Sequence, residues 1–202
     1  MAPNVKTRLL YENDDLERVA VYEKKGYRSR PMLFVNGKRV PDDIAVKARS
    51  NQTLSSFLRD EMLLTGTKLG CSEGGCGACT VMISKKDQKT GDIKHFNVNA
   101  CLMPVLAADG CHVTTVEGIG TVKGGNMHPI QKAMTELHGS QCGFCTPGII
   151  VSIYSLYANC YSMKEIEEHL DGNLCRCTGY RPIWDAARSL CDEAESLVRG
   201  PC

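Results

Sequence analysis

The stretch GTKLGCSEGGCGACTVMIS, residues 66–84, places three cysteines among closely spaced glycines. Glycine lets the main chain adopt conformations and close approaches that a side chain would obstruct. Core packing alone has little use for glycines interleaved with thiols in this way. The stretch therefore predicts a loop that wraps closely around a group bound by the thiols.

The spacing of the cysteines in this half of the chain is that of a plant-type [2Fe-2S] site. Four residues separate Cys71 from Cys76, two separate Cys76 from Cys79, and Cys101 follows after twenty-one more. The pattern C-x4-C-x2-C with a distant fourth cysteine is typical of plant-type ferredoxins. We therefore expect these four cysteines to ligate one [2Fe-2S] cluster.

The glycines fit the same interpretation, because a cluster needs backbone N–H groups turned towards its sulfur atoms. The glycines expected to allow this wrapping, and so to contribute to cofactor binding, are Gly70, Gly74, Gly75 and Gly77. The alternatives are a zinc site and reduced thiols in a flexible loop. Zinc sites usually use CxxC pairs at both ends, which this half of the chain lacks.

A second group of cysteines occurs in SQCGFCTPG and NLCRCTGYRP; its members are Cys142, Cys145, Cys175 and Cys177. Each pair precedes a predicted helix, so four thiolates can converge on one metal centre. The spacing alone leaves an iron-sulfur cluster, a zinc site and a dithiol or structural role open. The CGFC pair resembles a dithiol redox motif, but that motif belongs beside a βαβ pattern, which the sequence lacks.

Composition restricts the class of protein. The 202 residues carry a formal net charge of +1 without a long basic run, which argues against a nucleic-acid partner. No apolar run approaches the roughly 18 to 20 residues of a membrane span, and the N-terminus does not resemble a signal peptide. We therefore expect a cytoplasmic protein without a membrane partner, in which twelve cysteines serve metal binding more readily than disulfides.

The hydrophobic patterns predict two domains of an α+β protein. Residues 1–30 read as a loosely ordered extension. A hairpin in MLFVNGKRV, a helix capped by Thr53, and strands in CTVMIS and HVTTV predict one domain over 31–117, in which HFNVNACLMP brings a further cysteine. A glycine-rich linker over 118–127 precedes a helical domain over 128–198 and a tail over 199–202. Its helices are expected to begin near Pro129, after a Thr146 cap, after a Ser162–Glu165 capping box, and at Pro182.

The segments GTKLGCSEGGCGACTV, NACLMP, TTVEGIG, HPIQKAMTELHGSQCGFCTPG and GNLCRCTGYRPI together resemble the N-terminal iron-sulfur region of the molybdenum hydroxylases. This is the family of xanthine dehydrogenase and aldehyde oxidase. The resemblance implies a β-grasp plant-type ferredoxin domain followed by a small four-helix-bundle domain, with one [2Fe-2S] cluster in each. It also implies that the CxxC and CxC pairs hold the second cluster.

The resemblance further implies an electron-transfer role. In this family, electrons pass from a molybdopterin centre through both clusters to FAD, so the chain alone is not expected to turn over substrate. FAD and molybdopterin are expected on partner domains or subunits, and the parent enzyme is expected to be a dimer. Gln141 matches a glutamine that contacts the pterin, although a hydrogen bond at a helix end is the simpler alternative.

Leu69, Glu73 and Ser140 resemble xanthine dehydrogenase more than aldehyde oxidase. A stand-alone ferredoxin-type carrier and a zinc-stabilised interaction module are the competing functions. The end of the chain at Cys202 fits a separate small subunit, a short isoform or a fragment of a longer enzyme.

Overall fold

The computed structural model of the chain describes residues 31–122, 125–159 and 161–197. The expected extension over 1–30 and the tail over 199–202 lie outside the described residues. Within the described part, a mixed β-sheet is combined with helices, so the expectation of an α+β protein is confirmed.

Five strands of the described chain form one sheet in the order β2-β1-β5-β3-β4. They are β1 (Phe34–Val35), β2 (Lys38–Arg39), β3 (Thr80–Lys86), β4 (Ile93–Asn99) and β5 (His112–Thr114). β1 runs parallel to β5, and the other neighbouring strands are antiparallel. The long β3–β4 ladder ends next to Cys79 and Cys101 and positions these two cysteines.

The predicted hairpin is present between β1 and β2. Asn36 and Gly37 form its turn with φ values of 51° and 78°, the left-handed conformations that a primed two-residue turn requires. The helix predicted after Thr53 is also present, since the Thr53 side chain accepts a hydrogen bond from the Ser56 N–H at 3.3 Å.

The helices of the described chain are α1 (Asp42–Ala45), α2 (Leu54–Ser56, continued by a π-helical segment Phe57–Glu61), α3 (Val116–Ile119), α4 (Pro129–Glu136), α5 (Thr146–Ala158), α6 (Met163–His169) and α7 (Arg181–Leu197). Short 3-10 turns cover Val105–Ala108 and Leu170–Gly172. None of the helices in the described residues has the length and apolar character needed to cross a membrane.

The helix starts follow the sequence closely, with one correction. Ser162 and Glu165 form the predicted capping box at the start of α6. Thr146 is not the cap of α5, as predicted, but its first residue, and Cys145 takes the cap position. The Thr146 hydroxyl pairs with that of Ser140 at 2.8 Å.

Two large buried clusters of apolar side chains hold the described part of the fold together. The first lies between the sheet and α2, and it contains Phe57, Leu58 and Val81 together with Cys79 and Cys101. The second lies among α4–α7, where α5 is buried along most of its length.

The sheet and the helices pack against each other. Met82 of β3 belongs to the buried cluster of the helices, and so does Ile119 of α3. The helix α3 also crosses the predicted boundary between residue 117, the end of the first domain, and residue 118, the start of the linker. The predicted domain boundaries stay a prediction, but β3 and α5 share one packed interface.

Candidate metal centres

The β3–β4 ladder brings together two cysteines of the first group that are distant in sequence. Thr80 pairs with Asn99 at the end of the ladder, so Cys79 lies opposite Ala100 just beyond it, and its thiol contacts that of the next residue, Cys101. The Ala100 N–H donates to the Cys79 carbonyl at 3.3 Å, which continues the register by one residue. Both thiols are buried, whereas Cys71 and Cys76 are partly exposed in the preceding loop.

Backbone amides of the loop point at Cys71. The Glu73 N–H donates to the Cys71 sulfur at 3.4 Å. This amide contributes most to lowering the pKa of Cys71 to about 7, and the Cys76 thiol and the Cys76 and Gly75 amides lower it further. Since the thiolate is the form that binds metal, the loop favours the ligating state of Cys71.

The buried thiol of Cys79 has the opposite tendency. Burial, assisted by its neighbours Cys101 and Cys76, raises the pKa of Cys79 to about 11. A protein interior disfavours an isolated thiolate, and a bound cation reverses this preference by deprotonating the ligating thiol. The lowered pKa of Cys71 favours its thiolate, and the raised pKa of Cys79 favours its protonated thiol. This combination fits a site that is completed when a metal group binds.

Two glycines of the loop adopt backbone conformations that other residues rarely adopt. Gly74 has a φ of 74° and Gly77 a φ of 68°. A Cβ on Gly70 would lie 2.8 Å from the Cys76 sulfur, so this glycine leaves room beside a thiol. Gly75 has neither a positive φ nor a neighbour within 4 Å of an added Cβ, so the geometry gives no steric reason for glycine there.

Side chains from outside the loop hold its beginning and middle. Arg59 donates to the carbonyls of Thr65 and Thr67 at 3.0 Å and 2.8 Å. The Glu117 carboxylate accepts the Gly66 N–H at 2.6 Å. Asn99 donates to the Gly74 carbonyl at 2.8 Å. The spacing of the cysteines contains no signal for these supporting residues.

The second group of cysteines assembles where two helices begin. Cys142 and Cys145 directly precede α5, whereas Cys175 and Cys177 lie between the 3-10 turn at Leu170–Gly172 and α7. Cys142 and Cys177 are exposed, Cys145 is partly buried and Cys175 is buried. None of the eight cysteines of the two groups forms a disulfide.

The thiols of this second group are neighbours in pairs, and each pair shares a hydrogen bond. The Phe144 amide, followed by the Cys177 thiol, lowers the pKa of Cys142, and the same contact with Cys142 raises the pKa of Cys177. Burial, followed by the contact with Cys175, raises the pKa of Cys145 to about 12. The sequence-predicted set is therefore brought together from both helix starts.

Thr178 and Tyr180 support Cys175. Burial opposes ionisation of Cys175, but the Thr178 hydroxyl, 2.9 Å from its sulfur, and the Thr178 amide outweigh it and lower the pKa of this thiol. The Cys175 N–H donates to the Tyr180 hydroxyl at 2.9 Å. Tyr180 itself has a φ of 69°. Its position three residues after Cys177 was the signal in the sequence for this role.

The donor set and its surroundings fit two [2Fe-2S] clusters. Each group offers four thiols, and backbone amides hydrogen-bond to a sulfur in both, as sulfur-ligated clusters require. In the part of the chain that the structure describes, no group of three or more His, Cys, Asp or Glu side chains has the arrangement of a metal-ion site. The agreement with two [2Fe-2S] clusters therefore rests on the thiols and the backbone amides, and not on side chains already arranged around a single metal ion.

The two groups of thiols lie close to each other. The Cys76 carbonyl accepts the Leu174 N–H at 2.9 Å, and Leu174 directly precedes Cys175. The Phe144 ring, between Cys142 and Cys145 in sequence, would lie 3.4 Å from a Cβ on Gly70. Gln141 is exposed beside the exposed Cys142. The helical group thus faces the glycine-rich loop on one side and solvent on the other.

Comparisons with known proteins agree with this geometry. The 2Fe-2S iron-sulfur cluster binding domain family matches residues 33–106, and the [2Fe-2S] binding domain family matches residues 115–188. The fold and the two groups of thiols thus define a protein with two [2Fe-2S] binding domains.

Individual relatives show which proteins with two [2Fe-2S] binding domains this chain is similar to. The chain is 53% identical over 175 residues to xanthine dehydrogenase of Drosophila subobscura, covering 83% of this chain and 13% of the relative. It is 49% identical over 168 residues to aldehyde oxidase 2 of Macaca fascicularis, covering 82% of this chain and 12% of the relative. The chain thus spans about an eighth of the length of these curated relatives.

A solved structure covers nearly the same extent as this chain. In the crystal structure of quinoline 2-oxidoreductase from Pseudomonas putida 86, one chain superimposes with a TM-score of 0.67 and 32% identity, covering 85% of this chain and 98% of that one. Together with the two matched domains, this similarity shows that the chain belongs to the molybdenum hydroxylase family, as a two-[2Fe-2S] region.

Proposed function

We propose that the chain is an iron-sulfur electron-transfer module of a molybdenum hydroxylase. The observation that carries this proposal is the presence of one group of four thiols within each of the two matched [2Fe-2S] domains. The proposed ligands of one cluster are Cys71, Cys76, Cys79 and Cys101. The proposed ligands of the other are Cys142, Cys145, Cys175 and Cys177.

When bound, each [2Fe-2S] cluster supplies a centre that accepts and releases single electrons. The chain's own residues position and shield it. The Glu73 and Phe144 amides offer hydrogen bonds to thiolates, while the burial of Cys79 and Cys175 keeps water from one side of each site. The finer architecture that we propose is a β-grasp ferredoxin domain followed by a four-helix-bundle domain.

The direction of transfer that we propose is from a molybdopterin centre to FAD, both on partner domains or subunits. Gln141 supports this assignment, because its exposed side chain adjoins the exposed Cys142, where a pterin cofactor could approach the helical site. Xanthine dehydrogenase is favoured over aldehyde oxidase as the parent activity, in line with identities of 53% and 49% to the two relatives compared. A dimeric, cytoplasmic parent enzyme completes the proposal.

Metal and sulfide analysis tests this function. After anaerobic reconstitution, the purified chain should carry about four irons and about four acid-labile sulfides, two of each for every cluster. Visible absorption and electron paramagnetic resonance spectra of the reduced protein should show two distinct [2Fe-2S] signals. Zinc bound at one or two equivalents, with no iron incorporated, would contradict the proposal and support a zinc-stabilised module.

A further inference from the structure

The side-chain amide of Asn173 connects the helical region to the glycine-rich loop, because both its nitrogen and its oxygen form hydrogen bonds. Its side chain is buried, with 6% exposure. The amide nitrogen donates to the Gly77 carbonyl at 3.0 Å and lies 3.3 Å from the Thr80 hydroxyl. The amide oxygen accepts the Ser152 hydroxyl of α5 at 2.6 Å. The cysteine loop is thus tied to α5 through one side chain.

The backbones also meet at this point. A Cβ on Gly77 would collide with the Gly172 carbonyl and would lie 2.6 Å from the Asn173 amide nitrogen. A Cβ on Gly148, in the first turn of α5, would collide with the Gly77 carbonyl. Two segments that carry thiols of different groups therefore touch backbone to backbone, and Asn173 lies at the contact.

The loop also has hydrogen bonds of its own, which do not involve Asn173. Thr80 donates to the Gly77 carbonyl twice, from its hydroxyl at 2.7 Å and from its N–H at 3.1 Å. These bonds close the turn within the loop itself. The bonds of Asn173, in contrast, join the loop to another part of the molecule, so their loss changes the position of the loop more than its conformation.

We propose that Asn173 is a positioning residue that locks the Cys76–Cys79 loop onto the segment carrying Cys175, and thereby fixes the separation of the two [2Fe-2S] sites. The Leu174 N–H bond to the Cys76 carbonyl, at 2.9 Å, is the second point of this attachment. The inference rests on the proposed function, because it takes both groups of cysteines as cluster ligands.

The magnetic interaction between the two reduced clusters measures their separation, since a dipolar interaction falls with the cube of the distance. The experiment uses the full chain, loaded with clusters and reduced by dithionite, and compares low-temperature electron paramagnetic resonance spectra. Asn173→Ala removes all the hydrogen bonds of the side chain. The matched control is Asn159→Ala, which removes the bond from the end of α5 to the His95 carbonyl of β4, at 3.1 Å, remote in sequence from every cysteine ligand.

The wild type and Asn159→Ala should show splitting or broadening from the interaction between clusters. Asn173→Ala should weaken this interaction measurably while retaining the same iron content, since the Leu174 bond to the Cys76 carbonyl remains. Ser152→Ala, which frees the amide oxygen of Asn173, should reduce it partially. If Asn173→Ala does not fold, the spectrum of Ser152→Ala is the test: a reduced interaction supports the proposal, and an unchanged one overturns it.

Unchanged splitting in a fully loaded Asn173→Ala variant, even with a lower melting temperature, would show that the residue serves stability alone and would overturn the proposal. Absence of any interaction in a wild type with two full clusters would also overturn it. Failure of the proposed function gives a different result, because the wild type would then not incorporate two clusters. Iron and sulfide content therefore distinguishes the two failures.

Discussion

At the scale of single residues, the two thiol sites depend on how each sulfur is surrounded. Backbone amides favour the thiolate of Cys71, whereas burial opposes the thiolates of Cys79 and Cys145. A buried thiolate is costly until a cation compensates it. Binding of clusters should therefore contribute directly to the stability of the folded chain, as it does for other proteins whose metal ligands are buried.

The glycine-rich loop allows a test at two neighbouring positions. Gly77→Ala should cost at least about 1 kcal/mol of folding free energy, because an L-residue with positive φ is strained, and should reduce incorporation of the first cluster. The added Cβ would also collide with the Gly172 carbonyl. Gly75→Ala should stay within about 0.5 kcal/mol of wild type, since its Cβ meets no atom within 4 Å. Chemical denaturation and iron content measure both effects.

Equal losses in the two glycine variants would show that the loop tolerates no side chain for a reason other than local geometry. Wild-type behaviour of Gly77→Ala would contradict the close contact between the loop and the segment around Asn173.

At the scale of elements, the helix ends use side chains that titrate. The His128 side chain caps α4 by accepting the Ile130 N–H through Nδ1, at 3.3 Å. Its ring packs edge-on against Tyr154 of α5, with centroids 5.2 Å apart. Burial lowers the pKa of His128 to about 4, so the neutral ring that can accept this bond is the native form. The cap thus joins helix initiation to core packing.

The cap predicts a pH dependence of stability. Below the ordinary pKa of histidine, 6.5, the unfolded chain binds a proton that folded His128 does not bind until about pH 4. Stability conferred by this residue is therefore lost as pH falls from about 6.5 towards about 4. His128→Asn keeps an oxygen that can cap the helix but does not titrate. The melting temperature of this variant should fall less than that of wild type between pH 7 and pH 5.

Buried His112 has a pKa lowered to about 3, by burial and then by the charge of His95, and contributes an acid dependence of the same sign. The variant should therefore retain part of the dependence, with only the His128 contribution removed. An identical pH dependence in both proteins would contradict the assignment of the cap.

At the scale of the whole molecule, the sheet and the helices form an interface that brings two separately assembled thiol groups together. Met82 extends from β3 into the helical cluster, and Asn97 of β4 donates to the Ser152 carbonyl of α5 at 3.4 Å. Each thiol group nevertheless has its own hydrogen bonds and its own buried cysteines. Loss of one cluster should therefore leave the other site intact.

Single cysteine substitutions test this independence. Cys76→Ser should abolish the signal of the first cluster while the second remains, and Cys145→Ser should do the reverse. Because one site retains all four thiols in each variant, the iron content should fall by about half, to about two irons. Spectra of the reduced variants identify which signal is lost. Loss of both clusters in either variant would show that the two sites assemble only together.

The local features of this protein were determined by its sequence. The glycine-rich spacing identified the first thiol group, the Asn36–Gly37 turn and the Ser162–Glu165 capping box followed from backbone chemistry, and helix starts were placed within about a residue. Such features could be predicted because each depends on residues only a few positions apart.

The tertiary structure alone decided how these local features meet. The register that sets Cys79 beside Cys101, the support of Cys175 by Tyr180, and the contact of Asn173 with the Gly77 carbonyl join separately formed segments. A buried side-chain amide such as that of Asn173 needs hydrogen-bond partners, but the sequence does not show which residues these are. These contacts depend on how β3 packs against α5, which is a property of the whole chain and not of any spacing within it.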